Sequence, residues 1–164
     1  MSTYVLAIDP GVELGYAIFA VETKILVKCG AIVPSGEKEW GARTDEAMTD
    51  LYLDCVLWGG KMIKTCYCEW PAYFDSAGGR MAAVKDSLSK MVFMVGRIAE
   101  MCYQHSIDFG FVPVNDWKGQ MSKEAVIWRL KNKKLTDCEV ELAVKAGTHA
   151  WDAVGIGCYA LGRF

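Results

Sequence analysis

The chain has 164 residues, 52% of them hydrophobic, and its 18 basic and 20 acidic side chains leave a formal net charge of −2. That length suits a single domain, residues 1–164, with enough chain for a real core, and so balanced a charge argues against a protein that coats nucleic acid without selectivity. Seven cysteines, set mostly in apolar runs (Cys29, Cys55, Cys102, Cys158), point to reduced core thiols of a cytoplasmic protein rather than a secreted disulfide framework. No basic segment precedes the first apolar run, which meets Asp9-Pro10-Gly11 too soon to predict a signal peptide, and no stretch approaches the roughly 18 apolar residues a membrane span needs.

Tyr4 to Ile8, Tyr16 to Val21 and Ile25 to Val33 are rich in β-branched and aromatic residues. Asp9-Pro10-Gly11 and Glu22-Thr23-Lys24 separate them, which predicts an antiparallel meander. Ser35 to Arg43 reads as a polar loop. From Thr44, Met48, Leu51, Tyr52, Cys55, Val56 and Met62 recur at steps of three and four, the mark of one helical face, and Gly59-Gly60 ends or interrupts it. Ile63 to Glu69 reads as a short buried strand that Pro71 prevents from simply continuing. Cys66-Tyr67-Cys68 within it has no second Cys or His pair at zinc spacing.

Steps of three and four resume through Met81, Val84, Leu88, Met91, Val95, Ile98 and Cys102, predicting a long helix from 81 to about 104. Val92, Phe93, Met94 and Met101 make its second half apolar nearly all round, so more than one neighbour should bury it, a second subunit being one candidate. Phe109 to Val114 is the next strand. Ser122 can cap a helix reaching about Lys134, Thr136-Asp137-Cys138-Glu139 has the form of a capping box opening another that Gly147 stops, and Thr148 to Leu161 makes the last. The order β-β-β-α-β-α-β-α-α-α describes an α/β sandwich whose later strands, joined through helices, run parallel.

Three carboxylates stand where burial should exclude them: Asp9 ends the first strand, Glu69 ends the fourth, and Asp152 lies in an otherwise apolar helix. An unpaired buried acid costs several kcal/mol or becomes neutral, so each needs a partner. If strands one and four are parallel neighbours, Asp9 and Glu69 meet at the strand ends, where ligands of α/β sheets bind. His149 and Asp152, three residues apart on a helix, would share a face. A divalent cation relieves the repulsion, and oxygen ligands with one imidazole favour Mg²⁺ or Mn²⁺ over zinc. Plainer readings stand beside this one: Asp9 serving an Asp-Pro-Gly turn, Glu69 capping the turn before Pro71, Asp152 pairing with a base such as Arg129, and His149 satisfied near the helix start. Together they require three separate coincidences. From Lys118 through Lys123, Arg129, Lys131 and Lys133 to Lys134 the chain is strongly basic, with Glu124 the only acid; such a run is either a solvated helix face or a phosphate-facing surface.

The run Ile8-Asp9-Pro10-Gly11-Val12-Glu13-Leu14-Gly15-Tyr16-Ala17, the strand ending in Glu69 and the helix with His149-Ala150-Trp151-Asp152-Ala153 together resemble the RuvC-type Holliday junction resolvases of the RNase H-like superfamily, and the order of elements agrees along nearly the whole chain. The resemblance implies an RNase H-like fold, a five-stranded mixed sheet flanked by helices. It implies that Asp9, Glu69 and Asp152 are metal-binding carboxylates and catalytic, with His149 where family members carry Asp or His. Val112 to Glu124 is similar to the segment after the family's fifth strand, whose cleft-lining lysines match Lys118 and Lys123; the second glycine common in bacterial members is missing. Bacterial resolvases place an aromatic wedge three residues after the strand-ending acid, and here Ala72 holds that position with Tyr73 and Phe74 next. Either aromatic is a candidate to insert at a junction centre or to pack on its own loop. These departures suit a viral or otherwise divergent branch.

The resemblance implies an endonuclease that hydrolyses phosphodiesters of branched DNA by two-metal-ion catalysis with Mg²⁺, or Mn²⁺ in its place. Asp9 would bridge, Glu69 and Asp152 flank, and His149 serve as a ligand or assist the attacking water. Lys118, Lys123, Arg129, Lys131, Lys133 and Lys134 would contact phosphate. The implied partners are a four-way junction and a second copy of the chain, joined through the long helix. Three other readings stay open: a nuclease acting on RNA/DNA hybrids or flaps, an inert structure-selective DNA-binding protein, and a phosphate loop like that of actin-like sugar kinases, for whose two domains the chain is too short.

Overall fold

The structure, a computed structural model, describes residues 2–11, 13–36, 39–71 and 87–164. Five strands form one sheet: β1 (Thr3–Asp9), β2 (Leu14–Ala20), β3 (Leu26–Ile32), β4 (Met62–Trp70) and β5 (Asp108–Pro113), in the order β3-β2-β1-β4-β5. The first three make an antiparallel meander, while β4 and β5 run parallel to β1. This is the mixed α/β sheet that the sequence predicts. The helices are α1 (Trp40–Leu51), α2 (Ser87–Gln104), α3 (Val114–Trp117), α4 (Lys123–Arg129), α5 (Asp137–Ala146) and α6 (Ala150–Ala160). No helix among the described residues is long and apolar enough to cross a membrane.

Side chains alternate across a strand, and β1 is buried on both faces, which is why it reads as one continuous apolar run. Leu6 and Ile8 face a core shared with Met48, Leu51 and Cys55 from the α1 side and Val95, Ile98 and Cys102 of α2. Ala7 faces the other core, with Ala17, Phe19, Val126, Leu130, Val154 and Ile156. On that second face α6 lies against the sheet, buried from Ala150 to Cys158. Small residues permit the close packing: a methyl group on Gly157 would overlap the Phe19 ring, and one on Gly155 the Trp117 ring.

Several sequence expectations shift. The first helix begins at Trp40, so part of the expected polar loop is helical, and Met62 belongs to β4, not to the helix face its spacing suggests. The helix passes through a π-helical turn, Tyr52–Val56, and ends at Gly59 and Gly60, both at positive φ. Short α3 is not foreseen. In α2, Met94, Val95, Ile98, Met101 and Cys102 are buried, but Val92 and Phe93 are 41% and 47% exposed, so that helix is not covered all round. Met81 and Val84 of the expected long helix lie outside the described residues, as do Tyr73 and Phe74. All seven cysteines are free, and only Cys138 is exposed.

Among the described residues the least exposed acid is one the sequence marks only as a cap. Glu139, 1% exposed, completes the capping box with Thr136. It also accepts from the Leu26 N–H at the start of β3 (2.7 Å) and from both terminal nitrogens of Arg163 (2.7 and 3.0 Å). Arg163 in turn donates to the carbonyls of Lys24 and Lys134. These hydrogen bonds hold the Glu139 carboxyl down to about 2 against the opposing effect of burial. Because the folded value lies below the unfolded one, the stabilisation is complete above about pH 4.5 and is lost as pH falls toward 2. Glu139→Ala leaves Arg163 without its partner and should cost about 3–5 kcal/mol, as breaking a buried pair does; urea melts at pH 7 and pH 2.5 should show the gap from the parent protein narrowing at the lower pH.

Candidate active site

The register that pairs β1 with β4 sets Ile8 beside Cys68, so Asp9 and Glu69 follow one residue later on adjacent parallel strands, about 4.8 Å apart in the sheet. By alternation both face α6, whose first turn carries Asp152, 8% exposed. Asp9 also pairs with Gly15 of β2. A methyl at Gly15 would overlap the His149 carbonyl, so the glycine lets the start of α6 descend onto the strand ends. Asp9, Glu13, Glu69, Lys118, His149 and Asp152 thus line one open cleft of about 640 Å³, with Met91 of α2 on its wall.

Charge in this cleft is unbalanced. The Asp9 carboxyl is pushed up to about 7, first by burial and then by the negative charge of Asp152, with Lys123 and Lys118 opposing. Glu69 also rises to about 7, by burial and then by Asp9, against the lowering effect of a hydrogen bond from the Trp117 indole N–H at 2.9 Å. Trp117 belongs to α3 and sits almost wholly buried in the space Gly155 leaves. Asp152 meets two ammonium groups: Lys123 Nζ lies 2.8 Å from Oδ2 and Lys118 Nζ 3.4 Å from Oδ1.

The four residues expected to act together do line one cleft, with two differences. His149 is the N-cap of α6 rather than part of its face, and its Nε2 contacts the Glu13 carboxylate. Arg129 is not the partner of Asp152; its guanidinium stacks 4.5 Å from the Phe164 ring centre. Lys131 and Lys133 lie over the rings of Trp151 and Trp128 at 5.2 and 5.3 Å, and the Lys134 carbonyl accepts from Arg163. These four basic residues do not line the described cleft. Glu13 and Trp117 go unassigned in the sequence. The only signals for them are an acid just after the Asp-Pro-Gly turn and an indole next to a lysine.

The chemistry of the donors fits a hard divalent cation: three carboxylates, two of which, Asp9 and Glu69, are raised by burial and by negative neighbours, with an imidazole at the rim. Among the described residues no three such side chains stand as a ready metal cage, and three of the four expected ligands already have partners, Asp152 in the two lysines, His149 in Glu13 and Glu69 in the Trp117 N–H. A larger open groove of about 760 Å³ lies between α1 and α2, lined by Met48, Tyr52, Met101, His105 and the Asp45–Arg97 pair. It contains none of these carboxylates, and the raised acids assign the chemistry to the smaller cleft.

No protein-family model matches the sequence, and no curated protein matches it. Solved structures do. Thermus thermophilus RuvC in complex with a Holliday junction substrate aligns over 96% of this chain and 93% of that one, with a TM-score of 0.69 and 16% identity. A second Thermus thermophilus RuvC structure aligns over 98% and 97%, with a TM-score of 0.66 and again 16% identity. The fold is the RNase H-like fold of these RuvC structures.

Asp9 and Glu69, raised in the folded state, hold protons there that the unfolded chain has released. Metal-free stability should therefore fall as pH rises from about 4 to about 7. Thermal melts in chelator should show the midpoint dropping between pH 5 and pH 7.5 by on the order of 10 °C, since two acids losing about 1.4 kcal/mol per pH unit each over about two units amount to about 5 kcal/mol and each kcal/mol is worth about 2–4 °C at this chain length. Asp9→Asn should flatten the slope; an equal slope in that variant would exclude Asp9 as its source.

Proposed function

We propose that the chain is a Mg²⁺-dependent endonuclease that cleaves branched DNA, with the four-way junction as its substrate. One observation carries the reading: in a chain with the fold of RuvC, Asp9, Glu69 and Asp152, remote in sequence, line one cleft at the strand ends, and two lysines reach Asp152 there. Asp9, Glu69 and Asp152 would hold Mg²⁺, or Mn²⁺ in its place, and His149 would be a further ligand or assist the attacking water. The bound ions would make water nucleophilic at neutral pH and neutralise charge on the reacting phosphate.

The protein's own groups do the rest. Trp117 fixes the orientation of Glu69 through its N–H. Glu13 holds the His149 imidazole, fixing which ring nitrogen is engaged. Lys118 and Lys123 stand ready for a backbone phosphate, and the outward lysines around Trp128 and Trp151 would extend that contact and make affinity salt-dependent. Symmetric incision of two strands calls for a homodimer, for which the exposed Val92 and Phe93 of α2 offer an apolar face.

Cleavage of mobile and fixed four-way junctions, with incision mapped on each strand, tests the reading directly; preference for RNA/DNA hybrids or flaps, or junction binding without cleavage in Mg²⁺ or Mn²⁺, would replace it. Asp9→Asn should cut the rate by more than the roughly 10–100-fold that losing an outer partner costs while leaving junction binding nearly intact. Trp117→Phe, which keeps an aromatic ring and deletes the donor, should fall within that roughly 10–100-fold range and cost only about 1 kcal/mol of stability. Mg²⁺ should raise the melting temperature more at pH 8 than at pH 5.5, because protons on Asp9 and Glu69 compete with it.

A further inference from the structure

Lys118 and Lys123 hold the same carboxylate from two sides, one on each oxygen of Asp152. They lie at the two ends of a short connection, Lys118 closing α3 and Lys123 opening α4, with Gly119 between them at positive φ. Their side chains remain 25% and 35% exposed beside the cleft, so a phosphate can reach them. An ammonium is a compact charge on a flexible stem and can change partners without moving the backbone.

A divalent cation on Asp152 would stand beside two positive charges already there, and the repulsion would weaken its binding. A phosphodiester entering the cleft supplies the missing negative charge. We propose that Lys118 and Lys123 are stand-in cations for Asp152, neutralising it while nucleic acid is absent and passing to the backbone phosphate when a strand enters, so that Asp152 becomes free to hold metal only with DNA in place. Metal and DNA then bind with positive cooperativity, each raising the affinity for the other by the same factor. The inference rests on the metal-dependent nuclease reading of this cleft.

The test is calorimetric titration of the full chain with Ca²⁺, with and without a four-way junction, reading affinity rather than turnover. The parent protein should bind Ca²⁺ more tightly with the junction present, within the roughly 5–150-fold typical of such coupling. Lys118→Gln/Lys123→Gln should bind Ca²⁺ at least about 5-fold more tightly without DNA, and the junction should no longer improve it. Each single change should give an intermediate value, which keeps the test open if the double variant folds poorly. Lys64→Gln/Lys145→Gln, equal in charge but away from the cleft, should leave the coupling unchanged. If Asp9→Asn abolishes Ca²⁺ binding but the lysine variants bind it no better than the parent, the lysine exchange is wrong and the metal site stands. If the parent binds no Ca²⁺ in either condition, both fall.

Discussion

The close approach of α6 to the sheet is the constraint on which the candidate site depends. A helix carrying an acid in its first turn comes to rest on strand ends that carry two more, and it does so because Gly15 leaves room for the His149 backbone. Gly157 accepts Phe19 and Gly155 accepts Trp117 along the same helix. With ordinary side chains at these places α6 would stand further off, and Asp152 would not face Asp9 and Glu69. Apolar burial along α6 supplies the force that holds this geometry, and the charge crowding is what that force has to overcome.

Crowding explains the company each acid keeps. Asp152 has two lysines, Glu69 has an indole N–H, and His149 has Glu13. The Asp9 carboxyl is pushed up by burial and by the negative charge of Asp152, which the influence of Lys123 and Lys118 only partly offsets. A site arranged in this way stores electrostatic cost in the folded protein, which is common where chemistry is done and uncommon where acids serve only as turn caps. The plain turn reading of Asp9-Pro10-Gly11 does not account for the company of Glu69 and Asp152 in one cleft.

Much of this was legible in the sequence. The β1 and β4 runs end on acids, a helical connection makes them parallel, and alternation then puts Asp9 and Glu69 on one face. The capping box at Thr136 and Glu139 was equally plain. Other features could not be read there. A glycine in a strand does not say which element crosses it, so the Gly15–His149 contact was hidden. Spacing alone placed Met62 on a helix that had already ended, because strand and helix periods coincide over one or two residues. The basic run showed abundant positive charge but not which residue reaches Asp152; lysines at the ends of a connection do so, and Arg129 turns to Phe164. Glu139 was visible as a cap, yet its bond to Arg163 joins residues 24 apart, a distance at which pattern carries no information.

The reach of Arg163 bears on how the molecule assembles. Its bond to the Lys24 carbonyl spans 139 residues, and the bond from Leu26 to Glu139 spans 113. Contacts of such sequence separation form late, after long loops have closed. Phe19 and Ala17 of β2 likewise take their cover from α6, a helix that follows all five strands in the chain. Asp9 and Glu69 therefore meet Asp152 only when that helix docks, and the acidic triad is completed by the same contacts that close this face of the sheet.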